Sequence, residues 1–495
     1  MFAIPSKYSL TLPAARVAGN ACHSSVETPI FNAATGAVVG RQEAACAELV
    51  DRAVCTGRTA LGGWKATTPA FRGSLLRRIA SLVEAEREAL AALQMYVSGK
   101  PRAEAEADVG DVVATFSYYA DLCEDSRVFA DETLNVPNKA VRAARSYEAV
   151  GVAALIVPWN FPMVTTAWKL APALAAGCTV VLKPSELTSP AEHALLDIVS
   201  RAGVPADVVN IVNGGADVGA LLTQHPLIDK VSFTGSTAAG KKVMVAAAES
   251  MKRLTLELGG KSALIVREDA DIDEAVSLAM QGAFANAGQM CSATSRILVH
   301  DAVYLRFMRA LEQAVGSLVV AGPDASDSVM GPLISESQRQ RVQAMLDSGL
   351  EQGARIAFSG QVAADAGAGF FLAPVVVALP ALDNLLWNEE IFGPVACVRS
   401  FSTDEDAIAQ ANDTLYGLVA TVITRDDGVT EYYRGRLRAG LVWINTPQLI
   451  FPQVEWGGLG LSGMGRELGL AGLRAYQESR HVVRGIRRCS PDTPR

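Results

Sequence analysis

Apolar residues recur along this chain in two alternating textures. From residue 44 to about residue 92, Leu75, Leu76, Ile79, Leu82 and Val83 return at three- and four-residue spacing among alanines and charges, which predicts helix. Between residues 147 and 205 the texture changes, and short β-branched runs at 150–157 and 178–182 flank a helical stretch at 165–176. The strand–helix–strand order continues through 208–212 and 230–233. Fully apolar strands separated by helices predict a parallel sheet covered on both faces. A second α/β series begins after Gly259, with strands predicted at 262–266 and 295–300 around a helix at 272–285. Helices at 302–315 and 335–352 and strands at 395–401, 418–423 and 440–445 follow. Residues 475–486 read as an extended tail outside both series.

At 495 residues the chain is too long for one compact core, so two or three domains are expected. The 52 acidic against 44 basic side chains leave a net charge of −8, and only residues 484–488 are locally basic, which argues against nucleic acid as a partner. No apolar run is long enough to span a bilayer, and residues 1–17 lack the apolar core of a signal peptide, so no membrane partner is expected. The eight cysteines show neither CxxC spacing nor a Cys/His cluster, and with five histidines no metal site is expected. Free thiols suit a reducing compartment, and a cytoplasmic protein is the expectation.

Five stretches carry candidate chemistry. Phe233-Thr-Gly-Ser-Thr-Ala-Ala-Gly240 follows an apolar strand and opens an Ala-rich helix, whose free N–H groups suit a phosphate. Its glycines, Gly235 and Gly240, do not have GxGxxG spacing, and alone it fits an ordinary strand–helix turn equally. Lys183-Pro-Ser-Glu186 ends a strand, where a lysine and a carboxylate suit ribose hydroxyls or simply a solvated turn. In Leu256-Glu-Leu-Gly-Gly-Lys-Ser262, Glu257 is an acid among leucines. It is a general-base candidate if it points inward, or a surface carboxylate if strand alternation turns it out. Gly288-Gln-Met-Cys-Ser292 offers Cys291 as a nucleophile or as an inert core thiol. Pro158-Trp-Asn-Phe-Pro162 holds Asn160 in a rigid loop, where its amide can donate to an oxyanion.

The order of these stretches, together with Glu390-Ile-Phe-Gly-Pro394 and Ser462-Gly-Met-Gly-Arg-Glu-Leu-Gly469, resembles the aldehyde dehydrogenase superfamily over nearly the whole chain. The resemblance implies an α/β aldehyde dehydrogenase fold in three parts. These are a Rossmann-like NAD-binding domain (1–124 and 146–257), an α/β catalytic domain (258–461) and a small β oligomerisation arm (125–145 and 462–495). It also implies NAD-dependent oxidation of an aldehyde to a carboxylic acid, with Cys291 as nucleophile and Asn160 and the Cys291 N–H as oxyanion donors. Glu257 would activate water against the thioester, and Lys169 and Glu467 would pass protons outward. Lys183 and Glu186 match groups that hold the adenosine ribose, Ser236 a pyrophosphate contact, and Glu390 and Phe392 contacts around the nicotinamide. Trp159, Ser185, Gly235, Gly240, Leu258 and Gly259 complete the expected cofactor contacts. Glu186 would repel a 2′-phosphate, so NAD is expected over NADP. An inactive structural relative is opposed by the filled chemical positions, and a CoA-acylating enzyme by Glu257.

Within the superfamily the chain is similar to betaine aldehyde and ω-aminoaldehyde dehydrogenases, which hold a cationic substrate with aromatic faces and acids. Trp168 and Trp456 match two box tryptophans, and Asp108 and Asp111 the acidic pair at the mouth. Phe161 stands where tyrosine is usual, Ala285 and Ala107 where tryptophans are common, and Glu455 adds a carboxylate to the expected pocket. The expected substrate is an ω-amino or quaternary-ammonium aldehyde. The alternative is a bulkier neutral or aromatic aldehyde, and a carboxylate-bearing semialdehyde comes after both. The resemblance also implies a homodimer or homotetramer built through the arm.

Overall fold

The computed structural model describes residues 7–486. Its larger sheet has eight strands. Five of them, Arg253–Glu257, Lys230–Thr234, Val152–Ile156, Thr179–Lys183 and Val209–Val212, run parallel in that spatial order. Val152–Ile156 and Thr179–Lys183 are buried at every position, as their unbroken apolar runs require. Antiparallel strands Gly463–Met464 on one side and Ala15–Val17 with Asn20–Cys22 on the other extend the sheet. Gly463–Met464 lies within the span expected for the arm but hydrogen-bonds here, because Glu257 pairs with Gly463.

The second sheet has seven strands, ordered Arg355–Ser359, Val375–Ala378, Val395–Phe401, Arg296–His300, Ala263–Val266, Val419–Ile423 and Leu441–Ile444, and only the first is antiparallel. A separate sheet pairs Gln477–Gly485 with Val141–Ala149 along its full length, and Glu132–Leu134 lies beyond. The expected tail beyond residue 486, with Arg487, Arg488 and Cys489, lies outside the described residues. Among the described residues no helix is long and apolar enough to cross a membrane.

Two helices bear on the site. The helix expected from residue 165 begins at Pro162, where a proline's missing N–H is no loss in the first turn, and it is buried throughout. Arg102–Glu124, which the apolar periodicity did not single out, packs against it and against Pro69–Ala85. On the same face of the sheet, helix Ser189–Arg201 packs against Pro162–Ala176 and buries His193, whose Nε2 lies 3.0 Å from the Asn213 amide. Burial lowers its pKa from 6.5 to about 3. Between those values the unfolded chain takes up a proton that the folded chain does not, so this site costs stability as pH falls below about 6.5. His193→Gln removes that linkage. The loss of stability between pH 7 and pH 5 is expected to shrink by up to ~2 kcal/mol in urea titrations. Equal acid sensitivity in variant and wild type would show that His193 takes up no proton on unfolding.

Candidate active site

Strand register brings the chemical stretches to one place. Ile156 lies opposite Phe233, Thr234 opposite Glu257, and Glu257 opposite Gly463, so the loops that follow leave the larger sheet at one level. In the second sheet Ala263 pairs with Arg296, so the segments leading into these strands, 259–262 and 291–295, approach the same edge. Gly259 and Gly260 make the crossing possible. A Cβ on Gly259 would lie 2.2 Å from the Glu390 carboxylate, and one on Gly260 2.3 Å from the Cys291 carbonyl oxygen. Between the two edges lies a cavity of about 660 Å³ lined by Cys291, Glu257, Asn160 and Glu467 among others.

Glu257 is turned inward and buried, and neither carboxyl oxygen has a hydrogen-bond partner. Desolvation raises its pKa well above the usual range, and Glu467 raises it further, against the pull of Lys169 and Arg466. Lys169 is fully buried behind the cavity, ion-paired to Glu467 and donating to Thr234 Oγ1 at 2.7 Å. Ser232 Oγ donates to the same Glu467 oxygen at 3.0 Å. The Cys291 thiol is pushed up to about 12, first by burial and then by the Glu390 and Glu257 carboxylates. Asn160 Nδ2 donates to the Gln289 carbonyl at 2.9 Å, which leaves its second amide hydrogen free of that bond.

Of the expected cofactor residues, Trp159, Gly235, Ser236, Leu258, Gly259, Glu390 and Phe392 line the cavity. Ser236 caps helix Thr237–Ala248, its Oγ accepting from Ala239 N. Gly240 lies one turn on, outside the lining, and packs so closely on Leu258 that a Cβ would come within 2.4 Å. Lys183, Ser185 and Glu186 also lie outside the lining, at the end of strand Thr179–Lys183. Lys183 Nζ donates there to the Pro184 carbonyl at 2.7 Å and lies 3.9 Å from the half-buried Glu186 carboxylate. Glu390 accepts from Gly260 N at 2.9 Å, and the Trp159 and Phe392 rings meet edge-on at 5.3 Å. Arg341 and Gln338, unremarked in the sequence, hold residues 390–392 by their carbonyls.

The mouth differs from expectation. Glu104, Asp108 and Asp111 share one face of helix Arg102–Glu124 by their four- and three-residue spacing, and all three line the cavity. Asp108, however, is buried and ion-paired at 2.6 Å to the equally buried Lys100. The Lys100 ammonium also sits 4.0 Å from the centre of the Phe161 ring. Both the charge of Asp108 and one face of Phe161 are therefore occupied from within. Burial pushes Asp111 and Glu104 up to about 7 each. Trp168 and Trp456 line the cavity with ring centres 5.5 Å apart, while Ala107 and Ala285 leave its wall open. Glu455 does not join the pocket, because it is exposed and its carboxylate accepts from Ala471 N at 3.1 Å.

The sequence model of the aldehyde dehydrogenase family matches residues 21–482. Betaine aldehyde dehydrogenase 1 of Oryza sativa subsp. japonica is 42% identical over 462 residues, 92% of each chain. The peroxisomal aminoaldehyde dehydrogenase 2 of Pisum sativum is 41% identical over 464 residues, again 92% of each. The crystal structure of betaine aldehyde dehydrogenase from Staphylococcus aureus in complex with NAD+ superposes with a TM-score of 0.92 at 35% identity, covering 95% of this chain and 94% of that one. The chain belongs to the aldehyde dehydrogenase family.

A thiol pushed up to about 12 gives a direct expectation. Only the thiolate reacts, so alkylation of Cys291 by iodoacetamide in the free enzyme should keep rising, about tenfold per pH unit, from pH 7 to pH 10. Peptide mass spectrometry separates Cys291 from the exposed Cys46. A plateau below pH 9 would show that the thiol is not raised.

Proposed function

We propose that this aldehyde dehydrogenase oxidises an ω-amino or quaternary-ammonium aldehyde to its carboxylic acid with NAD. The observation that carries the reading is one cavity shared by a nucleophile candidate, a buried general base, two tryptophans and an acidic helix face. The names of the plant and bacterial relatives support the same substrate class.

In this reading the Cys291 sulfur attacks the aldehyde carbon, and the new oxyanion is stabilised by the Asn160 amide and the Cys291 N–H. Loss of hydride from that carbon leaves a thioester. Glu257 takes a proton from water as the water attacks, the C–S bond breaks, and the acid leaves with the Cys291 thiolate restored. The Lys169–Glu467 pair, in electrostatic contact with Glu257, is the route by which that proton passes on.

The residues present fit NAD. Gly235 and Ser236 line the cavity at a helix N-terminus, which suits a pyrophosphate, and the half-buried Glu186 stands beside Lys183, which suits ribose hydroxyls and opposes a 2′-phosphate. Bound there, NAD supplies the hydride acceptor.

A bulkier neutral or aromatic aldehyde is the second reading. It is favoured by the alanines at 107 and 285 and by the internal neutralisation of Asp108. The three-part division belongs to the same proposal, with Gly463–Met464 moved from the arm to the larger sheet, as does a cytoplasmic location, which the free thiols suit. A homodimer or homotetramer is proposed through the arm. Strand Gln477–Gly485 is an edge of its sheet with Val482 and Val483 exposed, and Leu441–Ile444 is an open edge of the second sheet.

Three experiments test this. NADH formation should be led by 3-aminopropanal, 4-aminobutanal or betaine aldehyde over benzaldehyde and hexanal, and should vanish in Cys291→Ala. Asp111→Asn should raise KM for the aminoaldehydes about tenfold and leave hexanal nearly unchanged. A lead by benzaldehyde or hexanal would install the second reading. Asp111 is the informative acid, because removing Asp108 strands a buried lysine. The double change Val482→Asp/Val483→Asp should reduce the mass seen by light scattering, and an unchanged mass would remove the arm from the assembly.

A further inference from the structure

Residues 286–288 all take left-handed backbone, with φ of 49° at Asn286, 54° at Ala287 and 70° at Gly288. Glycine adopts this freely and asparagine tolerates it, but alanine does so only where its surroundings over-determine it. The turn leads from helix Ile272–Phe284 into Gln289-Met-Cys291, so its shape sets where the thiol points.

Several contacts hold the turn. Gly288 is pressed against residue 393, where a Cβ would come within 2.2 Å of the Gly393 carbonyl oxygen. Asn286 Nδ2 donates to the Asn160 and Gln289 carbonyls, each at 3.2 Å, and Gln289 Nε2 donates back to the Asn286 carbonyl at 2.9 Å. Gln289 Oε1 accepts from Ile334 N at 2.9 Å. Gln289 N also donates to the Asn286 carbonyl at 3.0 Å and the Asn160 amide to the Gln289 carbonyl at 2.9 Å, and a further bond comes from an ionisable side chain on a different element. The Asn286 N–H, at the head of the turn, donates to Glu104 Oε1 at 2.8 Å across from helix Arg102–Glu124. The other Glu104 oxygen is buried without a hydrogen bond, and Lys100 and Asp108 are the charged groups that act on it.

We infer that Glu104 is a positioning residue for Cys291, holding the left-handed turn through the Asn286 amide so that the thiol faces the substrate carbon. A carboxyl oxygen is a strong acceptor for a backbone N–H, and its loss leaves that buried donor unmatched and frees the turn's first residue. The inference rests on the reading of Cys291 as the nucleophile.

The test compares Glu104→Ala and Glu104→Gln by iodoacetamide alkylation of the Cys291 peptide and by kcat and KM with hexanal, an uncharged aldehyde. Glu104→Ala should slow alkylation and lower kcat about tenfold, with KM changed less than about threefold. Glu104→Gln keeps an acceptor oxygen at the same reach and should recover most of both. Ala287→Gly, which relaxes the backbone demand inside the turn, should recover part of the loss when added to Glu104→Ala. Where the alanine variant does not fold, Glu104→Asp, one methylene short of Asn286, gives the same reading. Wild-type alkylation in Glu104→Ala, or a glutamine variant no better than the alanine one, would overturn the assignment. Activity surviving in Cys291→Ala would overturn the nucleophile reading, whereas the alkylation rates would still report on the turn.

Discussion

The buried carboxyl of Glu257 is the constraint to which the rest of the site is fitted. It occupies the last paired position of its strand, between Thr234 and Gly463, with neither oxygen hydrogen-bonded. An isolated carboxylate in that position would be too costly to keep ionised, so the group is driven toward its neutral form. Room for it comes from Gly457, where any Cβ would lie 2.9 Å from Glu257 Oε1. Its charge is answered one layer back, where Lys169 is anchored by Glu467 and Thr234 rather than by Glu257 itself. Had Lys169 paired with Glu257 directly, the carboxylate would be stabilised and its basicity lost. The displaced ion pair leaves the Glu257 carboxyl raised, as its proposed role of base needs, with the Glu467 carboxylate nearby.

The mouth follows a different logic. Helix Arg102–Glu124 presents three carboxyls on one face, and close packing against the neighbouring helices forces part of that face inside. Asp108 went in with a lysine, and the Lys100 ammonium in turn lies over Phe161. That arrangement fixes the ring without spending a free charge on it. Burial raises all three carboxyls against the pull of Lys100, taking Glu104 and Asp111 to about 7.

The sheet strands were legible because their apolar runs are unbroken and the helices between them are periodic. Val152–Ile156, Thr179–Lys183 and Val395–Phe401 lie within a residue or two of expectation. The edges were not legible. Gly463–Met464 is two residues long and pairs only because Leu256 and Glu257 offer an open edge, a fact of tertiary structure with no local pattern. At the site, the inward turn of Glu257 was undecided by strand alternation, and register decides it. Glu104 shares a helical face with Asp108 and Asp111, so its spacing was a readable signal, whereas Lys100 precedes the helix and reaches Asp108 by a loop path that no periodicity encodes. Arg341 and Gln338 act through backbone carbonyls fifty or so residues away, and such contacts leave no mark on composition. Glu455 misled because adjacency to Trp456 in sequence does not place both side chains on one wall.

Glu104, Asp111 and Glu390 line the cavity with carboxyls near neutrality, and Glu257 lies higher still. In each of these four desolvation is the leading cause, whereas Asp108 and Glu467 on the same cavity wall are answered by buried lysines. A cation brought to the mouth changes that balance, because its field favours the ionised form of the acids it touches. Cation binding and proton loss at Glu104 and Asp111 are therefore linked. The same linkage is absent for an uncharged aldehyde, which leaves both acids as they were. On the proposed substrate reading, the mouth would distinguish the two substrate classes by the protons it releases as well as by the contacts it makes, because an acidic helix face is buried there and Lys100 pairs with it at Asp108.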